Sequence, residues 1–218
     1  AVTLILFAAI LDALDGRIAR LIKGTSEFGK ELDSLTDFVS FGIAPVFILY
    51  FWELNNYGKL GWAITLIYSV CCVLRLARFN LTKIDEEQAW KNNFFEGIPS
   101  PAGGLLILMP LIYELTELNI GLEIKKITPF LTVLIAILLV SKIPTLSFKK
   151  ISISPKTTVF LLLGIGIVFI ALLFYTLETL LVFGAVYLLS IPISILIFKN
   201  ESRKNLEKIS EENHEDIL

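Results

Sequence analysis

Seven apolar runs decide what this chain can become. They cover, approximately, residues 1–23, 29–54, 61–80, 99–118, 129–146, 157–176 and 177–198. Each is close to the ~20 residues a helix needs to cross the hydrocarbon core of a bilayer. Inside lipid a backbone must satisfy its own N–H and C=O groups, so runs of this kind imply helices. The expected fold is therefore all-α, a polytopic membrane helix bundle with about seven transmembrane helices. Composition agrees, with 55% apolar residues and a mean hydropathy of +0.75. Residues 1–198 form the expected transmembrane domain, and 199–218 a charged cytoplasmic tail.

Charge says which way such a bundle faces. The formal net charge is only −2, which gives no reason to expect a nucleic-acid partner. Its distribution is uneven. Threading the seven runs puts sixteen of the nineteen lysines and arginines on one side, leaving Lys59, Lys125 and Lys126 on the other. The positive-inside rule makes the richer side cytoplasmic. Cys71 and Cys72 are adjacent within an apolar run and read as small packing residues. The single histidine, His214, lies in the charged tail. This excludes a zincin motif, a Ser-His-Asp triad and a two-histidine phospholipase-D-like mechanism.

The polar exception to this pattern lies on the richer side, between the first two runs. It reads D-A-L-D-G-R-I-A-R-L-I-K-G-T-S-E-F-G-K-E-L-D-S-L-T-D over residues 12–37. Asp12 and Asp15 stand three apart, Asp33 and Asp37 four apart, so each pair shares one face of a helix. Ala8, Gly16 and Ala19 extend the first stripe; Gly29, Ser40 and Ala44 extend the second. Facing stripes of carboxylates and small residues leave room for a ligand between the helices. Four hard oxygen donors without Cys or His suit Mg²⁺ or Mn²⁺. A phosphate-bearing substrate is the natural third party. An ion transporter with an intramembrane carboxylate site is the alternative of another class. It would need a path across the bilayer, whereas all four acids lie near one side.

The spacing Asp12-x2-Asp15-Gly16-x2-Ala19-Arg20-x8-Gly29-x3-Asp33-x3-Asp37 resembles the signature of the CDP-alcohol phosphatidyltransferases. These membrane enzymes move a phosphatidyl group from a CDP-linked lipid to an alcohol and release CMP. The resemblance implies a site for two metal ions at Asp12, Asp15, Asp33 and Asp37, with Asp37 also acting as general base. It implies CDP-lipid contacts at Gly16, Ala19, Arg20 and Gly29. It further implies a homodimer among membrane lipids, and a further helix ahead of the first run.

Three other stretches bear on the acceptor. F-G-I-A-P at 41–45, R-L-A-R-F-N at 75–80 and G-I-P-S-P-A-G-G at 97–104 are similar to the phosphatidylserine synthase branch of that family. The branch implies L-serine as acceptor, with diacylglycerol or archaeal ether chains on the donor. Serine's carboxylate requires a cation, and the planar arginine fork binds carboxylates well. Arg75, Arg78 and Ser100 are thus candidates for acceptor or phosphate binding. Inositol phosphate and glycerol phosphate are the alternative acceptors. The arginines could instead anchor the third run by snorkelling to headgroups.

Overall fold

The computed structural model describes residues 1–21, 26–81, 94–116, 123–146 and 155–215, nearly all of them helical. Helix α1 (Val2–Leu21) buries Val2 and Ile5 and exposes Leu4, Phe7, Leu11 and Leu14. Helix α2 (Glu27–Asp37) begins at Ser26, whose Oγ accepts a hydrogen bond from the Gly29 N–H at 3.0 Å. This cap satisfies one of the free donors of the first turn, and Glu27 there complements the helix dipole.

The second run continues through a π-helical segment, Phe38–Ile43, into α3 (Ala44–Trp52). Its cause is legible in the sequence. Pro45 has no N–H, so the Phe41 carbonyl four residues earlier loses its α-helical donor. The buried Tyr68 of α4 (Lys59–Leu81) supplies the missing bond, its hydroxyl donating to Phe41 O at 3.0 Å. The wider turn rotates the helix beyond it, so Ala44 departs from the evenly spaced stripe expected through Asp33 and Asp37. A 3₁₀ turn, Leu54–Tyr57, joins α3 to α4.

Hydropathy predicts one helix over the fourth run, 99–118; it is broken into α5 (Ser100–Ile107) and α6 (Met109–Leu115). Pro110 cannot donate to Leu106, and the Leu108 N–H bonds Leu105 O at 3.2 Å in a tightened last turn. The fifth run also differs from expectation. Helix α7 (Ile124–Val140) starts earlier than residue 129 and stops before residue 146. Pro144 could not donate to the Val140 carbonyl, and residues 144–146 are extended instead. They form β2 (Pro144–Leu146), paired antiparallel with β1 (Phe94–Glu96), with Phe95 opposite Thr145. Among the described residues this two-stranded ribbon is the exception to an otherwise helical fold. Helix α8 (Pro155–Phe174) and the long α9 (Thr176–Glu215) complete the chain, and α9 continues unbroken into the charged stretch after Phe198.

Helix α4 is the hub, packed on α3, the π-helical segment and α7, while α9 lies against α6, α8 and the ribbon. Val46, Leu49, Tyr68, Ile107, Ile135 and Leu139 are fully buried between these elements. In lipid the hydrophobic term between helices is small, so close approach must hold them together. Gly104 allows it: a Cβ there would come within 3.1 Å of the Phe41 backbone. Buried Thr65 and Thr132 donate to the carbonyls of Gly61 and Thr128, each at 2.9 Å, and so carry no unmet polar group into the core.

Large apolar side chains such as Phe7, Phe51, Leu60, Phe130 and Phe160 cover the exterior, as lipid contact requires. Among the described residues, Glu27–Trp52, Lys59–Leu81 and Thr176–Lys199 are long and apolar enough to cross a membrane. The shorter apolar stretch Phe160–Phe174 accompanies them, as a membrane helix bundle requires.

Candidate active site

The two aspartate pairs meet. Asp12 and Asp15 project from α1, Asp33 from α2, and one carboxylate oxygen from each lies within 4.8 Å of the other two. Asp37 ends α2 directly before the π-helical segment, and its carboxyl group approaches Asp12 to hydrogen-bonding reach. Asp12 and Asp37 are half-buried, whereas Asp15 and Asp33 are exposed, so the cluster has a closed and an open side. Asn80 braces α2 from the end of α4, its Nδ2 donating to Ser34 Oγ at 2.9 Å.

Carboxylates this close repel. Two unit charges 4.8 Å apart cost roughly 3 kcal/mol at an effective dielectric of 20. The Arg75 guanidinium acts electrostatically on Asp37, which compensates part of that charge. A divalent cation fits the remainder, since the donors are all hard oxygens from three or four carboxylates.

Other candidates fall differently. Gly16 lies half-buried on α1 one residue beyond Asp15. Gly29 is exposed in the capped first turn of α2, one turn ahead of Asp33. Ala19 and Arg20 stand in the last turn of α1, with side chains outside the described residues.

Arg75 and Arg78 both turn inward. Arg75 Nε donates to the carbonyl of Ile98, two residues before α5 begins. Arg78 Nη1 donates to Val140 O at 2.7 Å, meeting an end carbonyl of α7 with a cation. The same helix end holds the 97–100 loop, because Gly97 N donates to Ile143 O at 2.8 Å and Ile98 N to Leu138 O at 3.4 Å. Gly97 has φ +71°, and a Cβ there would sit 2.9 Å from the carbonyls of Leu139 and Ser141. Ser100, the first residue of α5, is buried against the Cys72 thiol.

Sequence reasoning missed Tyr187, Thr145 and Cys72. Tyr187 reaches from α9 toward Arg75 and Thr145, and Thr145 Oγ1 donates to Gly97 O at 2.8 Å. Their positions depend on how α9 and the ribbon dock, which no local spacing encodes. The sole hint is a tyrosine inside a run of aliphatic residues.

An apolar helical exterior and an acidic cluster of this donor chemistry define an integral membrane protein with a metal-competent site near one end of its helices. The chain belongs to the CDP-alcohol phosphatidyltransferase family, whose pattern matches residues 1–198, and it is accordingly a transferase. It is 34% identical over 206 residues to the CDP-diacylglycerol–serine O-phosphatidyltransferase of Helicobacter pylori, covering 91% of this chain and 84% of that protein. The protein of the same name from Mycobacterium leprae is 42% identical over 159 residues, covering 71% of this chain and 52% of its own length. That from Bacillus subtilis is 36% identical over 151 residues, covering 69% and 76%. This chain thus spans most of the Helicobacter relative and about half of the mycobacterial one.

Proposed function

We propose that this chain transfers the phosphatidyl group of CDP-diacylglycerol to the hydroxyl of L-serine, giving phosphatidylserine and CMP. The observation that carries the reading is similarity to proteins of that activity along 91% of the chain, through the stretch where the four aspartates meet. The Helicobacter, Mycobacterium and Bacillus relatives are all named for serine, which gives inositol phosphate and glycerol phosphate no support. Membership in a transferase family leaves the cation-transporter reading without a basis.

Asp12, Asp15, Asp33 and Asp37 would hold Mg²⁺ or Mn²⁺, and two ions suit four carboxylates. Such ions supply Lewis-acid neutralisation of the diphosphate charge. Asp37, half-buried and influenced by Arg75, accepts the proton of the serine hydroxyl as its oxygen bonds to phosphorus. The bond from that phosphorus to the CMP oxygen breaks, and CMP departs. Gly16, Ala19 and Gly29 would leave space for the CDP-lipid nucleotide, and Arg20 would contact phosphate. Arg75 binds the serine carboxylate. Arg78 supports the site from behind through Val140.

The sixteen basic residues of one side support a site at the cytoplasmic face, where a soluble amino acid and nucleotide product would have access. A homodimer surrounded by membrane lipid is the proposed assembly, and residues 199–218 its cytoplasmic tail. The deciding experiment is CMP release by purified protein in CDP-diacylglycerol micelles. Release that requires both L-serine and Mg²⁺ or Mn²⁺ is expected; release independent of serine overturns the acceptor.

A further inference from the structure

Helix α2 carries two of the four aspartates but has little to hold it in place. It buries no residue, and its broadest contact is with the π-helical segment that continues it. Phe28, Leu32 and Leu35 on it are all more than half exposed. Packing therefore does little to fix its distance from α1. Charge works against that distance, because an oxygen of Asp33 lies within 4.8 Å of oxygens of Asp12 and Asp15 and like charges repel. A pivot for the outward tilt lies at residues 38–43, where the regular α-helical ladder is interrupted.

A side chain from the hub of the fold opposes that tilt. Asn80, at the end of α4, donates from Nδ2 to Ser34 Oγ at 2.9 Å. The Ser34 hydroxyl gives its own proton to Lys30 O at 3.1 Å, so toward Asn80 it acts as acceptor. The contact is thus directional, with each partner in a fixed role. Ser34 adjoins Asp33 and stands three residues before Asp37, so a grip on it restrains the turn that bears both carboxylates. Helix α4 is a firm post for that grip, since its Thr65, Tyr68 and Cys72 are fully buried and it packs on α3 and α7.

We infer that Asn80 is a positioning residue for the metal-binding aspartates, holding α2 through Ser34 close enough to α1 for Asp12, Asp15 and Asp33 to face a common cation. The inference rests on the reading of those aspartates as metal ligands. It gives the last residue of the R-L-A-R-F-N stretch a duty separate from those of its two arginines.

The test is calorimetric Mn²⁺ binding by the full chain in detergent, for Asn80→Ala, Ser34→Ala and the two combined. Each single change should raise the Kd for Mn²⁺ about three- to tenfold, the range expected for one hydrogen bond. The combined variant should bind no more weakly than either single one, because both changes remove the same bond. Ser34→Thr keeps the hydroxyl and should bind Mn²⁺ as the unaltered protein does. Transfer lost in the alanine variants should return as Mn²⁺ is raised, with the KM for L-serine unmoved. An unchanged Kd in Asn80→Ala overturns the inference, and so do additive losses in the combined variant. A thermal midpoint lowered in chelator with the Kd unmoved would mark a merely structural contact and also overturn it. So would a raised serine KM in Asn80→Ala alone, which would make the residue a substrate contact. Failure of the unaltered protein to bind Mn²⁺ would instead overturn the metal reading on which the inference rests.

Discussion

At the scale of single residues, the four aspartates are not equivalent. Asp12, Asp15 and Asp33 share one oxygen cage, while Asp37 joins it through Asp12 and feels the charge of Arg75. Replacing any of the three with Ala should abolish transfer and weaken Mn²⁺ binding in calorimetry, with the fold retained; unchanged affinity in all three would remove the ligand assignment. Asp37→Asn should still bind CDP-diacylglycerol but lose turnover by a factor on the order of 10²–10⁴, as for removal of a general base. Near-normal turnover at saturating substrate would refute that role. The arginines part company as well. Arg75→Lys should raise the serine KM, because a point charge replaces a fork. Arg78→Lys should act mainly on thermal stability, because Arg78 donates to the backbone at the end of α7. Equal effects of the two on serine dependence would contradict this division. The aspartate pairs are legible in the sequence because i,i+3 and i,i+4 spacings fix a shared helical face. The different duties of Arg75 and Arg78 are not: the same helix face carries both, and what each meets is set by α5 and α7.

At the scale of elements, prolines explain most departures from the run-by-run expectation. Periodicity marks where apolar helix can form, but a proline withdraws a donor four residues upstream, and the remedy comes from another element. Pro45 orphans Phe41 O, and Tyr68 repairs it. Pro144 could not serve Val140 O, and Arg78 does. Tyr68→Phe should therefore cost about 1–3 kcal/mol, since it strands a buried carbonyl. Adding Pro45→Ala should recover part of that loss, because alanine restores an N–H that can serve Phe41 O. Transfer should remain impaired in the double variant, because closing the π-helical segment rotates Asp37 relative to α3. Thermal unfolding in detergent, with activity measured in parallel, checks both parts; a double variant no more stable than Tyr68→Phe would argue against the donor account. The ribbon of Phe94–Glu96 with Pro144–Leu146 has no comparable signal in the sequence, since each strand is three residues long and adjoins an apolar run.

At the scale of the whole molecule, the acidic site lies toward one end of the helices and the aromatic cluster of Tyr50, Phe51 and Trp62 toward the other. Cysteine placed at Asn56, in the 3₁₀ turn beside those aromatics, should react with a membrane-impermeant thiol reagent in intact cells. Cysteine at Ser202 should react only after permeabilisation. The reverse pattern would turn the site away from the cytoplasm. Fold class is readable at this scale because lipid permits so few backbone solutions. The number of complete crossings is not, because charge inside α1 and breaks beside prolines make hydropathy a poor measure of span.

The arginines of α4 each donate to a main-chain oxygen, at Ile98 and Val140. Every amino acid offers a carbonyl, so drift at those two positions leaves both grips intact as long as the local backbone keeps its course. Across descendants of this sequence, these two contacts should therefore persist with no co-varying mate at Ile98 or Val140. A search for correlated substitutions would pass over two of the contacts that tie the third membrane run to the rest of the molecule.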